Sequence, residues 1–217
     1  MLRRALPVLA LSLGLLGACS ASPDTSGPLP GGTELTGSAA EALKNLRSTH
    51  FRLGVSGTIP GLPIRSIEGA ANRDGTGAGH ADVQESAEKF DDVTYTVASG
   101  VAKVSGKTTL PRTLDVPAEY DPATLLDPGK GLRRVLLAAT AVTTEASEPL
   151  DKVGAYRLTG KLAGPVISGL IPGITADVDV KFWVREAAPH DLMRIWLQVP
   201  PYKPSEGAVM LELSLTP

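Results

Sequence analysis

The stretch VDVKFWVREAAPHDLMRIWLQV, residues 178–199, carries the pattern that decides the fold. In its first half an apolar residue stands at every second position, which is the period of a strand with one buried face. The segments LMRIWLQV (192–199) and VMLELSL (209–215) repeat that period. We therefore expect three consecutive antiparallel strands near the end of the chain, each with one apolar side.

The same period recurs upstream of these strands. HFRLGVSGTI (50–59) alternates apolar with small or charged residues, PGLPI turns the chain, and IRSIEGAANR (64–73) is the predicted hairpin partner. Between residues 80 and 105 the alternation is weaker but predicts short strands with charged edges. YRLTGKL (156–162) is a further predicted strand.

Three short helices are predicted between the strands. Ser38 and Glu41 have the spacing of a capping box, so we expect the first helix to begin at Ser38. The segment 132–139 has apolar residues at helical spacing, and GPVISGLIPG (164–173) is a short apolar helix that ends at a Pro-Gly pair. Many antiparallel strands with few helices indicate an α+β fold in which the helices cover one face of a curled sheet. The pattern leaves open whether the space between them is a solid core or a cavity.

The N-terminal segment has the features of an export signal. Residues 1–18 combine a basic start, an apolar run of about 12 residues and small residues before Cys19, and a membrane span needs roughly 20. Leu16 to Cys19 match a bacterial lipobox, in which the cysteine receives the lipid anchor. We predict a signal peptide over 1–18, the lipidated Cys19 with a flexible tether over 19–37, and one domain over 38–217, anchored to the outer face of the plasma membrane. The alternative is a plain signal peptide with an incidental cysteine.

Composition and motifs argue against several classes of function. The net charge is −2 and no basic stripe with interleaved aromatics is present, so we expect no nucleic-acid partner. No phosphate-binding loop, dinucleotide fingerprint, paired-cysteine motif or nucleophile elbow occurs, so we expect no cofactor and no enzymatic activity. His50, His80 and His190 are isolated in the sequence, although a catalytic triad assembled in space stays open. The acidic residues around His80, which are Asp82, Glu85 and Asp91, are expected to form a solvated edge rather than a metal site.

Four stretches together resemble the actinobacterial cell-envelope lipoproteins of the LppX/LprG type. They are HFRLGVSGTIPGLPIRSIEG, YDPATLLDPGKGLRRVLLA, YRLTGKLAGPVISGLIPG and FWVREAAPHDLMRIWLQV. The resemblance covers nearly all of residues 38–215. It implies a strongly bent antiparallel half-barrel with helices over its concave side, and an apolar cavity for the acyl chains of lipids or glycolipids. Such proteins carry lipids across the cell envelope, so the resemblance also implies a membrane lipid exporter as a partner, and we expect a monomer.

The period of each strand and helix predicts which side chains form the cavity wall. The predicted lipid-binding residues are Leu53, Val55, Leu132, Val135, Leu136, Val166, Ile167, Leu170, Phe182, Ile195 and Leu197. Arg133 and Arg134 lie off the apolar face of their helix, and we predict that they bind an anionic head group if that helix borders the cavity mouth. The alternative function is a non-enzymatic envelope scaffold with a solid core.

Overall fold

The computed structural model of this chain describes residues 23–25, 27–84, 90–107 and 111–216, without the side chains of residues 90, 91 and 119. Its α-helices are α1 (Gly32–Asn45), α2 (Pro122–Leu126), α3 (Leu132–Ala138) and α4 (Gly164–Ile167), and a 3-10 helix spans Ala118–Tyr120. The first strands are β1 (Ser48–Ser56), β2 (Ile64–Asn72), β3 (Gly77–Gln84), β4 (Phe90–Ala98), β5 (Val101–Gly106) and β6 (Arg112–Asp115). The later strands are β7 (Thr140–Leu150), β8 (Val153–Leu162), β9 (Val178–Arg185), β10 (Leu192–Val199) and β11 (Val209–Thr216).

All eleven strands form one open sheet in the order β6-β5-β4-β3-β2-β1-β11-β10-β9-β8-β7. Every neighbouring pair is antiparallel, so the sheet consists of two meanders that meet where β1 pairs with β11. The strands β6 and β7 are consecutive in the chain but lie at opposite edges of the sheet. The segment between them must therefore cross the whole sheet.

That crossing segment explains why helices cover one face. The 3-10 helix, α2 and α3 all lie between β6 and β7, and α1 packs against α3 and reaches β7, β9 and β10. Register shifts in β2, β7 and β10 add bulges, and bulges bend and twist a sheet. The result is the predicted α+β class, a bent antiparallel half-barrel with short helices on its concave face.

The strand predictions near the C-terminus are confirmed. Along β9 the residues alternate between buried and more exposed positions, and β11 does the same. The hairpin of β1 and β2 also forms as expected. The sequence reasoning missed β6, which is four residues long, and β7, whose TAVTTEASEPL sequence lacks a clean apolar alternation.

The predicted start of the first helix is wrong. α1 begins at Gly32 with Gly31 as its N-cap, so Ser38 lies inside the helix and caps nothing. The reason is packing, because Leu35 is buried and extends the apolar stripe of Ala39 and Leu43 by a further turn. Residues 32–37 therefore belong to α1 and not to the tether, while Cys19 and the predicted signal peptide lie outside the described residues.

Buried side chains fall into two groups of unequal size. The main core lies between the helices α1, α3 and α4 and the strands β8–β11, with Phe182 and Leu158 fully enclosed. The small cluster lies on β3–β5 and consists of Ala81, Val93, Tyr95, Val97 and Ala102. One half of the concave face is thus closely packed, and the other half is only thinly covered.

A polar network covers the outer face of β7–β9. Arg157 contacts Glu145 at 2.9 Å and Glu148 at 2.7 Å, and Lys181 contacts Glu145 at 3.0 Å. The Trp183 indole also donates to Glu148 at 2.7 Å. Partial burial opposes ionisation of Glu145, but the hydrogen bonds from Lys181 and Arg157 outweigh it and lower the pKa of its carboxyl group. The network links three adjacent strands on the side opposite the main core.

Candidate functional site

An apolar cavity of about 320 Å³ lies on the concave face between the main core and the small cluster. Phe51, Leu53 and Ile67 on β1 and β2 form part of its floor, and strands β10 and β11 complete it. Tyr95 and Val97 on β4 form the wall on the side of the small cluster. The volume falls at the lower end of the roughly 300–1,000 Å³ that ligand pockets occupy.

The roof of the cavity is helical. Leu125 of α2, Val135 of α3 and Ile167 of α4 reach it from above, together with Leu170 and Ile171 just beyond α4. These side chains reach the cavity because the segment that crosses the sheet places α2 and α3 over β1, β2 and their neighbours, while α4, which lies between β8 and β9, packs against α3. Because the roof consists of separate short helices, few interactions within the roof itself hold it in place.

Small residues occupy the inward positions of β2 and β3 beside the cavity. Gly69 and Ala71 face inward on β2, and their partners Gly79 and Gly77 face inward on β3. A side chain at Gly77 would meet Pro122 at 3.0 Å, which shows how closely the roof approaches at that edge. A Cβ at Gly69 or Gly79 would clash with the backbone of the neighbouring strand, so these glycines allow the close approach of β2 and β3, and Ala71 is the member of this group that lines the cavity.

Tyr95 provides an uncommon polar atom in this wall. Gly79 and Gly69 lie beside it across the sheet, and a Cβ placed at Gly69 would meet the Tyr95 Oη at 2.8 Å. The ring therefore extends inward across the two glycines toward Phe51, the partner of Gly69 on β1. The hydroxyl is buried with no hydrogen-bond partner among the described residues, and burial raises the pKa of Tyr95 to about 12.

The mouth of the cavity lies at the 3-10 helix and α2. Tyr120 lines the cavity and is 40% exposed, whereas the wall on the opposite side is buried. Asp121 is the charged residue of the described lining. Its carboxylate accepts a hydrogen bond from the Ala123 amide at 2.8 Å, so it caps α2 as the Asp-Pro pattern indicates.

The structure places six of the eleven predicted wall residues on the cavity. They are Leu53, Val135, Ile167, Leu170, Ile195 and Leu197. Of the other five, Leu132, Leu136 and Phe182 are enclosed in the main core, while Val55 and Val166 are half-buried against it. For these five residues the predicted position on the cavity wall is corrected. The hydrophobic period shows which face of a strand or helix a side chain lies on, but the position along that face decides whether the side chain meets close-packed neighbours or empty space.

Neither predicted head-group arginine lines the cavity. Arg133 pairs with Glu41 at 3.0 Å and donates to the Pro128 carbonyl at 3.3 Å, so it ties α3 to α1. Arg134 is exposed on α3 near Gly169. Arg133 already has its anionic partner, and a head-group role for Arg134 stays a prediction.

Sequence reasoning missed part of the site. The missed residues include Phe51, Ile67, Ala71, Tyr95, Val97, Ala102, Leu125 and Leu211. A usable signal was present in GAAN (69–72) and GAGHA (77–81), where small residues stand at inward positions of adjacent strands. A side chain at Gly69 would meet the Tyr95 hydroxyl, so this pattern makes room for the Tyr95 ring in the wall of the site.

Comparison with known proteins identifies the family. A sequence profile described as LppX_LprAFG lipoprotein matches residues 32–216. The chain belongs to this lipoprotein family. Related members include the lipoarabinomannan carrier protein LprG of Mycolicibacterium smegmatis, 29% identical over 201 residues that cover 89% of this chain and 85% of that protein. The protein of the same name from Mycobacterium tuberculosis is 27% identical over 209 residues, covering 91% and 84%.

Solved structures of the LppX_LprAFG family share the fold. The crystal structure of LprF from Mycobacterium bovis has a TM-score of 0.71 at 17% identity and covers 90% of this chain and 94% of that chain. The lipoprotein LppX from Mycobacterium tuberculosis has a TM-score of 0.64 at 16% identity, covering 85% and 92%. The prediction of this family from the sequence is confirmed, and so is the open, bent antiparallel sheet.

The described residues include no cluster of metal-ligand type: no group of three or more His, Cys, Asp or Glu side chains that could hold a metal occurs in this part of the chain. His80 and Asp82 both lie on β3, while Glu85 and the Asp91 side chain fall outside the description. Of the helices described, none is long and apolar enough to cross a membrane.

Proposed function

We propose that this protein is a membrane-anchored, non-enzymatic carrier that binds the acyl chains of lipids or glycolipids in its cavity and moves them across the cell envelope. The cavity between β1, β2 and the helical roof is the observation that carries the proposal. Its described lining is almost wholly aliphatic and aromatic, and Tyr120 in that lining is 40% exposed to solvent. Family relatives named lipoarabinomannan carrier protein support the same class of ligand.

The energetics of lipid transfer favour such a cavity. Each CH2 group of an acyl chain exposed to water costs about 0.8 kcal/mol, so a long chain leaves a bilayer only for an enclosed apolar site. Branched aliphatic walls suit flexible chains, because dispersion contacts do not require one orientation. At about 320 Å³ the cavity is small for several long chains. A ligand with two or three chains would have to displace the short helices of the roof.

The membrane anchor is part of the proposal. Residues 1–18 would direct export, and lipidated Cys19 would hold the domain at the outer face of the plasma membrane. Two or three acyl chains on one residue bind a bilayer firmly, whereas a single chain binds weakly. In that position the cavity would receive lipid from the membrane or from an exporter in it.

Mass spectrometry of bound lipid tests the proposal. The full chain with Cys19→Ala carries no anchor lipid, so any lipid extracted from the purified protein comes from the cavity. We expect acylated lipids in an approximately stoichiometric amount. An extract without lipid, together with no lipid uptake from vesicles, would favour the scaffold alternative, in which the outer face binds a partner protein.

A further inference from the structure

Tyr95 lines the apolar cavity, and its hydroxyl is a buried polar group. Its side chain is 8% exposed, its Oη is buried, and no described residue accepts from it or donates to it. A buried hydroxyl without a partner is unfavourable, so native structures rarely keep one without a reason. The ring lies across Gly79 and Gly69 with its hydroxyl over Gly69, and because the Oη is buried, a ligand oxygen reaches it only when the side chains around it move aside.

The surroundings of the hydroxyl select what can bind it. No lysine, arginine or histidine occurs in the described lining, and the one carboxylate there, Asp121, is engaged as a helix cap at the mouth. An ionised lipid carboxylate would thus meet no positive charge beside Tyr95, and burying an unpaired charge is strongly unfavourable. A neutral carbonyl oxygen accepts a hydrogen bond without that penalty. Ester and amide linkages of acyl chains carry such an oxygen directly beside the hydrocarbon.

We propose that the Tyr95 hydroxyl donates a hydrogen bond to the carbonyl oxygen of a bound acyl lipid, such as that of an ester linkage, and so favours acyl-linked over ether-linked lipids and sets how deep the chain enters. The inference rests on the proposed lipid-carrier function and names the ligand group that the cavity recognises. Because burial raises the pKa of this phenol, it stays protonated and remains a donor at physiological pH. The chain beyond the carbonyl would lie against the aliphatic floor near Leu53 and Leu213.

Tyr95→Phe removes the hydroxyl and keeps the ring. The full chain with Cys19→Ala is titrated with vesicles of dipalmitoyl phosphatidylcholine, and separately with vesicles of its dihexadecyl ether analogue, which has no carbonyl. We expect the variant to bind the ester lipid roughly 3- to 10-fold more weakly and the ether lipid as well as before. The melting temperature of the lipid-free variant should be unchanged or higher, because an unpaired buried hydroxyl has been removed.

Tyr202→Phe is the matched control. The Tyr202 hydroxyl donates to the Gly173 carbonyl at 2.9 Å and lies outside the described cavity lining, so its loss should lower the melting temperature and leave the preference for ester over ether lipid unchanged. A third titration with palmitate separates the ester carbonyl from a free carboxyl group.

Each outcome decides the inference. It is overturned if Tyr95→Phe leaves ester binding intact, if it weakens ester and ether binding equally, or if palmitate is the ligand whose binding falls. If the unsubstituted protein binds none of the three lipids, the carrier function itself fails. A selective loss of ester binding in Tyr95→Phe, absent in Tyr202→Phe, supports the proposal.

Discussion

Two tyrosines show how the surroundings of a residue decide what a buried hydroxyl does. Burial raises the pKa of both Tyr95 and Tyr202. The Tyr202 hydroxyl is satisfied by a backbone carbonyl and holds the segment after β10 to the loop after α4. The Tyr95 side chain lines the cavity, and its hydroxyl is buried without a partner among the described residues. The same group stabilises the fold in one place and is left unsatisfied in the other.

Glu145 gives a prediction for the pH dependence of stability. The pKa of its carboxyl group is lowered in the folded protein, so its contribution is present above the ordinary value and is lost as the pH falls through the lowered one. Glu145→Gln should therefore reduce stability at neutral pH by up to about 1 kcal/mol, since the network is partly exposed. The difference from the unsubstituted protein should shrink as the pH falls below the ordinary pKa of a glutamate and vanish once the Glu145 carboxyl group is protonated. Urea unfolding across this pH range measures it.

A matched control for Glu145 is Asp179→Asn. Asp179 pairs with Lys161 at 2.8 Å on the same outer face, but both side chains are mostly exposed. We expect this substitution to change stability little at any pH. Equal pH profiles for the two variants would contradict the role given to the partly buried network.

Single residues show how far the sequence predicts the cavity. Leu53 and Val55 are both inward by the period of β1, yet only Leu53 lines the cavity, because Val55 lies nearer the strand end and packs against the main core. The hydrophobic periodicity shows on which face of a strand a side chain lies, but it does not show where along the strand an empty space occurs. Tyr95 was missed for the same reason, since its role depends on glycines in two neighbouring strands.

Among the elements, α1 departs most from the sequence prediction. GTELTG has two glycines and two threonines, which are weak helix formers, so local propensity favours a tether there. Packing of Leu35 and Thr36 beneath the helix overrides that preference. By contrast β9–β11 follow their period closely, because each is central in the sheet and buried on one face.

Leu35→Ala tests the longer α1. Leu35 is 2% exposed in the main core, so its truncation should destabilise the protein by about 2–4 kcal/mol. Leu137→Ala on α3 is the control, because Leu137 is 52% exposed and its loss should change stability by less than about 0.5 kcal/mol. Thermal or urea unfolding measures both. Small and similar effects for the two variants would place residues 32–37 in a tether after all.

The whole molecule owes its cavity to its topology. Two meanders joined at β1 and β11 leave β6 and β7 at opposite edges, so the connecting segment must pass over the concave face. The sequence predicts the strands and the helices but not this order, because strand pairing between distant segments leaves no local pattern. The sequence pattern leaves open whether the concave side is a solid core or a cavity, because that depends on this strand order and on the path of the segment that crosses the sheet.

The anchor gives a prediction for the protein in the cell. Cys19→Ala should release the protein from the membrane fraction, because the apolar run before it is too short to span a bilayer. Cell fractionation measures the change, and mass spectrometry of the mature N-terminus checks for the attached lipid. Ser20→Ala is a suitable control that leaves the cysteine in place. Continued membrane association of Cys19→Ala would require another means of attachment.

A pair of tryptophan substitutions distinguishes a carrier from a scaffold. Val97 lines the cavity, whereas Val180 lies in the main core outside the described lining. In Val97→Trp the ring has space to occupy, so stability should change little while lipid transfer between vesicles is lost. In Val180→Trp the same enlargement meets close-packed neighbours and should destabilise the protein by roughly 1–3 kcal/mol or more. Melting temperature and transfer of a fluorescent lipid measure the two effects. Two outcomes would contradict this prediction. If Val97→Trp is destabilised as much as Val180→Trp, the concave side is packed too tightly to admit an acyl chain. If Val97→Trp is stable and still transfers lipid normally, the cavity is not the lipid-binding site.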